Sequence, residues 1–344
     1  MANDPTGNQP SAPDDPQDNA APSRRPIAPT DADATVVRQR TSLSDGERPH
    51  RSDAKRAEIA AERAARDAPG ARRSDVPALA ISHATKIYKA RGQGRGATVT
   101  AVDDVSFTIE PGAAIGLVGA SGSGKSTLAK LITGSERPTS GTIRFGDIEV
   151  NRLRSGGLRD YHRRVQMVFQ DPYGALNPLH TVEYTVMRPC QNILGMSARD
   201  AVRRVHELLD IVGLTPATQY ASKLPHQLSG GQRQRVVIAR ALACDPDVIV
   251  ADEPVSMLDV SLRAGVLSLL GRLREERGLS LLYITHDLLS ARVVTDHILV
   301  LNGGRVVESG MTKQVLQHPQ DEYTKRLLDA VATPFATIRP SIDI

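Results

Sequence analysis

Between an apolar run, Ile115-Gly116-Leu117-Val118, and a stretch that reads as the start of a helix, Ser126 to Ile132, the chain carries Gly-Ala-Ser-Gly-Ser-Gly-Lys-Ser-Thr at 119–127. A run that short and that apolar suits a strand buried on both faces. Gly119 and Gly124 lack the Cβ atoms that would hinder close approach of the backbone. Consecutive N–H groups can therefore converge on an anion at the positive end of the helix. Lys125 adds a point charge for β- and γ-phosphates and Ser126 a hydroxyl for Mg²⁺, in the spacing G-x-x-x-x-G-K-[ST] of a phosphate-binding loop. A chance glycine turn is the competing explanation, yet at ordinary Gly and Lys usage a chain of this length should contain roughly 0.01 such matches. The stretch predicts a strand–loop–helix unit that holds a nucleoside triphosphate.

Composition narrows the setting. Residues 1–75 hold no aromatic residue, nine of the 22 prolines, and 12 Lys and Arg against 13 Asp and Glu, which leaves 31 basic against 26 acidic residues for the remainder. A tail so poor in large apolar side chains cannot offset its ordering entropy, so 1–75 is predicted to be disordered. Within it, 52–68 could form a transient helix, since Glu62 and Arg66 stand four apart, although a solvated spacer is the plainer reading. The modest positive charge of the body permits contact with nucleic acid or an anionic membrane and argues strongly for neither. Cys190 and Cys244 lack metal-type spacing and read as core thiols in a reducing compartment. The first residues show neither a basic nor an apolar leader segment and no apolar run approaches a membrane span, so a soluble, cytosolic chain is expected.

Residues 78–88 and 98–110 have the β-branched, partly alternating look of strands, joined by a basic loop over 89–97. Pro111 and Gly112 turn the chain into the strand before the glycine loop. Gly134, Pro138 and Gly141 return it to another strand over 142–146. Residues 164–170 form a short strand that ends on Gln170, and from 171 to about 228 the chain is turn-rich and then helical. The clearest helix is 197–213, with Ser197 and Asp200 suited to a capping box and Val202, Val205, Leu208, Leu209 and Val212 on one stripe. A strand at 248–253, a helix near 260–276 and a strand at 280–286 complete an alternation of strands and helices. That pattern favours an α/β fold with a parallel sheet and phosphate chemistry at the carboxyl ends of its strands.

Two further stretches carry chemistry. Val248-Ile249-Val250-Ala251 runs into Asp252 and Glu253, and side chains that alternate along a strand send two adjacent acids in different directions. Asp252 can then serve Mg²⁺ while Glu253 polarises an attacking water. A solvated strand end would explain the acidity but not the apolar run before it. In Leu228-Ser229-Gly230-Gly231-Gln232, Ser229 can cap a helix with Gln232 three positions on, while the two glycines bare backbone N–H groups. This is a second anion site. One nucleotide needs two helix N-termini so far apart only if the fold or a second subunit unites them.

Taken in this order, residues 78–331 resemble the ATPases of ATP-binding-cassette (ABC) transporters, and within them the ATPase subunits of dipeptide and oligopeptide importers. The resemblance makes 119–126 the Walker A motif, Gln170 the Q-loop glutamine, 228–232 the signature, and 248–253 the Walker B strand. Asp259 then ends the D-loop, His286 is the switch histidine and Tyr88 the aromatic that stacks on adenine. It implies that ATP meets Tyr88, Gly119, Ser121, Gly122, Gly124, Lys125, Ser126 and Thr127, that Mg²⁺ meets Ser126, Gln170 and Asp252, and that Glu253, His286 and Gln170 serve catalysis. The importer subgroup rests on 170–178, 252–261 and 318–331; Met257 stands where these importers commonly have Ala, and His-Pro-Gln-Asp-Glu-Tyr-Thr is longer than their usual wording. With no cysteine after Cys244, the iron–sulfur segment of some relatives is not expected.

By the same resemblance the fold is a P-loop NTPase with a mixed-sheet core, a helical subdomain at about 171–235 and an antiparallel β subdomain. Residues 76–317 form the ATPase domain, and 318–344 a C-terminal extension. Two ATPase subunits, identical or paralogous, would pair head to tail. Each ATP would lie between one subunit's loop and the partner's Ser229, Gly230, Gly231 and Gln232, with Asp259 nearby. Closure would pass through the helical segment to two transmembrane permease subunits at the cytoplasmic face of the inner membrane, served by a solute-binding protein, with no nucleic acid involved. Peptides are the leading substrate, with nickel or another small solute the alternative. Two readings compete from outside transport. A soluble ABC protein of translation or DNA repair lacks support because one cassette is present without a coiled-coil or zinc-hook insertion. A regulatory module without turnover is disfavoured by Glu253 and His286.

Overall fold

A computed structural model of the protein describes residues 76–89 and 97–332. The tail at 1–75, the helix at 52–68, most of the basic loop at 89–97 and the end of the C-terminal extension lie outside the described residues. In chain order the strands are β1 (Leu79–Lys89), β2 (Thr98–Ile109), β3 (Ala114–Val118), β4 (Ser140–Phe145), β5 (Ile148–Glu149), β6 (Val165–Val168), β7 (Val248–Asp252), β8 (Ser280–Thr285), β9 (His297–Asn302) and β10 (Arg305–Met311). The helices are α1 (Lys125–Ile132), α2 (Ser155–Arg164), α3 (Pro172–Ala175), α4 (Val182–Asn192), α5 (Ala198–Ile211), α6 (Ala217–Ala221), α7 (Gly230–Leu242), α8 (Val260–Arg277), α9 (Leu288–Val294), α10 (Thr312–Gln317) and α11 (Glu322–Ala332).

Every residue of β3, β7 and β8 is buried, as strands covered on both faces must be. They lie inside a six-stranded sheet of order β10-β9-β3-β8-β7-β6. Pairing is parallel from β9 to β6, and β10 joins the edge antiparallel to β9. The sheet is therefore mixed. The period of two divides its side chains between two apolar clusters. Ala114 and Val118 of β3, Ile249 and Ala251 of β7, and Leu281 and Tyr283 of β8 join α4, α5, α7, α8 and α9 on one face. Ile115 and Leu117, Val248 and Val250, and Leu282 and Ile284 join α1, Tyr161 and the second sheet on the other. That second sheet is antiparallel, in the order β2-β1-β4-β5.

The parallel register fixes where the chain leaves the sheet. Val118 stands beside Thr285, Asp252 beside Ile284, and Val168 beside Ala251. Gly119, Glu253, His286 and the residues after Val168 consequently emerge along one edge, the carboxyl ends expected to carry the chemistry.

Between β6 and β7 the chain runs through α3 to α7. Ser197 caps α5 by accepting from the Asp200 N–H (3.2 Å), but its hydroxyl donates to the Asp200 carboxylate (2.7 Å), so the reciprocal bond of the expected capping box is side chain to side chain. Val205, Leu208, Leu209 and Val212 are buried as the stripe predicts. Val202 is only half-buried, because the helix is turned so that Ala201 and Arg204 face inward, where Arg204 meets Glu207 and Asp245. Both cysteines are free and buried, and burial pushes the Cys244 thiol up to about 12. Among the described residues, no helix is long and apolar enough to cross a membrane.

The rotation of α5 separates two positions that the sequence places on one stripe. Leu208→Ala should cost about 2–4 kcal/mol because it opens a cavity in a fully buried site. Val202→Ala should cost less than about 1 kcal/mol. Urea denaturation midpoints for the two variants check this, and equal losses would contradict the packing.

Candidate active site

The glycine loop turns β3 into α1, whose N-cap is Gly124 at φ 106°. A Cβ on Gly119 would stand 2.2 Å from the Leu301 carbonyl of β9, and one on Gly124 would stand 2.2 Å from the Ala101 carbonyl of β2. These glycines thus have a reason the sequence does not show: they admit the carbonyls of neighbouring strands of the protein itself. Gly122, at φ 81°, is the one whose missing Cβ would face open space. Lys125 is buried, and its Nζ donates to the carbonyls of Gly119 (2.8 Å) and Ala120 (2.9 Å). Burial pulls its ammonium below the ordinary lysine value, and the charges of Glu253 and Asp252 partly restore it.

Asp252, the last residue of β7, is buried and hydrogen-bonded to Ser126, while its Oδ1 is buried without a partner among the described residues. Burial raises its pKa; the Ser126 bond and the charge of Lys125 oppose the shift, and Glu253 adds to it. A hydroxyl beside an unsatisfied carboxylate oxygen is a hard-oxygen donor pair. It fits Mg²⁺, which takes one or two protein oxygens and completes its shell from phosphate and water.

Glu253 lies past the end of the strand at φ 46°. Its divergence from Asp252 is therefore set by a left-handed residue, not by strand alternation, which corrects the sequence argument. Such a backbone costs an L-residue about 1–2 kcal/mol. It is held by the Glu253 N–H donating to the Ile284 carbonyl (2.8 Å) and by the Ser256 N–H (3.2 Å) and Oγ (3.0 Å) donating to the Glu253 carbonyl. The turn presents the carboxylate to two side chains at once. Gln170 Nε2 donates to Oε2 at 3.1 Å, and His286 Nδ1 lies 3.0 Å from Oε1. Gln170 stands two residues beyond β6, which is shorter than the strand expected from the sequence and leaves Phe169 outside it.

Ser121, Gly122, Gly124, Lys125, Ser126, Thr127, Gln170, Glu253 and His286 line one cavity of 690 Å³. Asp252 reaches its edge through Ser126. Tyr88 does not line it, but stands beside it, hydrogen-bonded to Thr127 and donating to Glu136 Oε2 at 2.6 Å. Burial and then Glu136 raise the phenol pKa. Ser229, Gly230, Gly231, Gln232 and Asp259 do not line the cavity either. Ser229 and Gln232 form the expected capping box at the start of α7, and Asp259 is exposed before α8. Ala120 of the loop also lines it, and so do Ala101, Leu327 and Ala330, which the sequence does not single out. Nor does it single out Tyr323, whose hydroxyl accepts from the Ala120 N–H at 2.9 Å. No local pattern could have found contacts that span about two hundred positions.

A parallel sheet that delivers a lysine-bearing glycine loop and an acid pair to one cavity defines a P-loop nucleoside triphosphatase. The family model described as ABC transporter matches residues 102–256. Oligopeptide transport ATP-binding protein OppF of Lactococcus lactis subsp. lactis is 44% identical over 246 residues, covering 72% of this chain and 74% of that protein. OppF of Bacillus subtilis is 44% identical over 239 residues, covering 69% and 78%. A putative peptide import ATP-binding protein of Brucella abortus is 43% identical over 242 residues, covering 70% and 72%. Among solved structures, the dimeric post-hydrolysis state of the ATP-binding cassette MJ0796 bound to ADP and Pi is 34% identical at a TM-score of 0.61, covering 68% of this chain and 98% of that one. The chain belongs to the ABC transporter family of ATP-binding, ATP-hydrolysing proteins.

Replacement of Lys125 tests the loop. Lys125→Ala should weaken ATP binding on the order of 10- to 100-fold, the worth of charge-assisted hydrogen bonds. Equilibrium titration with ATP reads this directly, and an unchanged affinity would remove the loop from phosphate binding.

Proposed function

We propose that the chain is the ATP-hydrolysing subunit of a peptide importer, peripheral at the cytoplasmic face of the inner membrane and working with two permease subunits. The observation that carries the catalytic part is the Glu253 carboxylate, held between Gln170 and His286 on the cavity that the glycine loop opens into. Support for the peptide part is the similarity to importer ATP-binding proteins over about 70% of the chain.

In this reading the N–H groups of 121–127 and the Lys125 ammonium grip the phosphates, and Tyr88 stacks on adenine with its ring fixed by Glu136 and Thr127. Ser126 and Asp252, aided by Gln170, would hold Mg²⁺, which when bound neutralises phosphate charge. Glu253 orients and polarises the attacking water, and His286 contacts the γ-phosphate. The buried setting of Lys125 and Asp252 strengthens each charge's action on the ligand, since few waters screen it.

Ser229 to Gln232 and Asp259 act on the ATP of a second subunit, identical or paralogous, because they do not line the cavity of their own. The dimeric cassette with which the fold aligns supports that arrangement. The permeases dock on a separate groove of 510 Å³ just after Gln170, lined by residues including Asn177, His180, Tyr184, Arg188 and Arg240. Leu179, 83% exposed, offers apolar area near it. Gln170, bonded to Glu253, precedes the segment that lines this groove, so the chain between them would carry docking to the carboxylate.

The test is Glu253→Gln in the assembled transporter. ATP affinity should stay within about 2-fold while turnover falls by 100-fold or more, on the order of a general-base contribution. Equal ATPase rates in mutant and wild type would end the assignment. Uptake into proteoliposomes of peptide against a nickel or other small-solute competitor decides the substrate class.

A further inference from the structure

The segment after β10 matters to the phosphate loop in a way its sequence does not advertise. Glu308 of β10 accepts from the Gln320 N–H through Oε1 (2.8 Å) and from the Asp321 N–H through Oε2 (3.1 Å). Asp321 Oδ1 in turn accepts from the Tyr323 N–H (2.8 Å), which starts α11. Thr324 is fully buried, and Tyr323, Leu327 and Leu328 pack on the apolar cluster of the sheet. The start of α11 is thus tied to the Glu308 side chain of the edge strand by two backbone N–H groups, capped by Asp321, and seated in the core. Tyr323, Leu327 and Ala330 are spaced i, i+4, i+7 and share one helix face. That face meets the nucleotide cavity: Leu327 and Ala330 line it, and the Tyr323 hydroxyl accepts from the Ala120 N–H at 2.9 Å.

The bond falls on a particular peptide unit. The carbonyl of Gly119 accepts from Lys125 Nζ, and the N–H of the same peptide, on Ala120, donates to Tyr323. Both polar ends of the plane that begins the phosphate loop are therefore pinned, one from inside the loop and one from α11. A planar peptide held at both ends cannot rotate without breaking one of the bonds. The carbonyl of Ala120, on the next peptide, takes the second bond from Lys125 and one from the Ser123 N–H, so Lys125 is seated by two consecutive peptides, the first of which Tyr323 holds.

We propose that Tyr323 is a positioning residue for the phosphate loop and that α11 is a fixed wall of the nucleotide site, so that ATP affinity depends on the C-terminal helix. The proposal rests on the assignment of 119–127 to the phosphates. The test compares ATP titrations of the full chain as wild type, Tyr323→Phe and Lys125→Ala, each with the melting temperature of the nucleotide-free protein. It also includes steady-state kinetics of the assembled transporter. Tyr323→Phe keeps the ring in its packing and removes only the hydroxyl that accepts from Ala120. Its ATP dissociation constant and KM should rise together by roughly 3- to 10-fold, with a much smaller change in kcat and no change in nucleotide-free melting temperature. Loss of binding in Lys125→Ala with wild-type affinity in Tyr323→Phe would overturn the positioning role and leave the phosphate assignment standing. A fall in Tyr323→Phe affinity that tracks a fall in nucleotide-free melting temperature would also overturn it, because packing alone would then account for the loss. Wild-type affinity in Lys125→Ala would remove the phosphate assignment and the proposal with it.

Discussion

The parallel pairing of β7, β8 and β3, in the register that sets Asp252 beside Ile284 and Thr285 beside Val118, is the constraint from which the site follows. Parallel neighbours cannot be joined by a tight turn, so each needs a long crossover that packs a helix against the sheet. Here those crossovers and their side chains fill both faces and leave the strands buried throughout. In exchange, every parallel strand ends at the same edge. The glycine loop, the acid pair and His286 are neighbours because their strands are, although up to 167 positions of sequence separate Gly119 from His286.

On that edge the protein concentrates charge that it does not fully compensate. Burial pulls Lys125 down and pushes Asp252 up, and each moderates the other. Buried ionic groups cost desolvation energy unless they are paired and hydrogen-bonded. Lys125 meets this cost with two backbone carbonyls, and Asp252 with Ser126 while one oxygen has no partner among the described residues. A ligand that brings anionic oxygens and a hard cation satisfies both groups together, so binding energy comes from residues already fixed in place.

The same edge stores backbone strain. Glu253 occupies a left-handed conformation that a side-chain-bearing residue rarely adopts, and the bonds from Ser256 and to Ile284 hold it there. The turn brings one carboxylate within reach of a residue that follows β6 and one that follows β8. Three crossovers therefore converge on a single side chain. Gln170 also directly precedes the helical segment that begins with α3.

The pieces whose chemistry is local were legible in the order of residues. The strand–loop–helix at 114–132, the apolar strand before Asp252 and the Ser229–Gln232 capping box each follow from side chains a few positions apart. Spacing of this kind is fixed by covalent geometry and helix or strand period, and needs no knowledge of the rest of the chain. Tertiary structure alone decided why Gly119 and Gly124 must be glycine, since the obstructing atoms belong to Leu301 and Ala101. It decided how Glu253 diverges from Asp252, which way α5 turns Val202, and that Tyr323 closes on Ala120. Those outcomes depend on contacts between segments far apart in sequence, and such contacts exist only once the sheet has set its register and buried both faces.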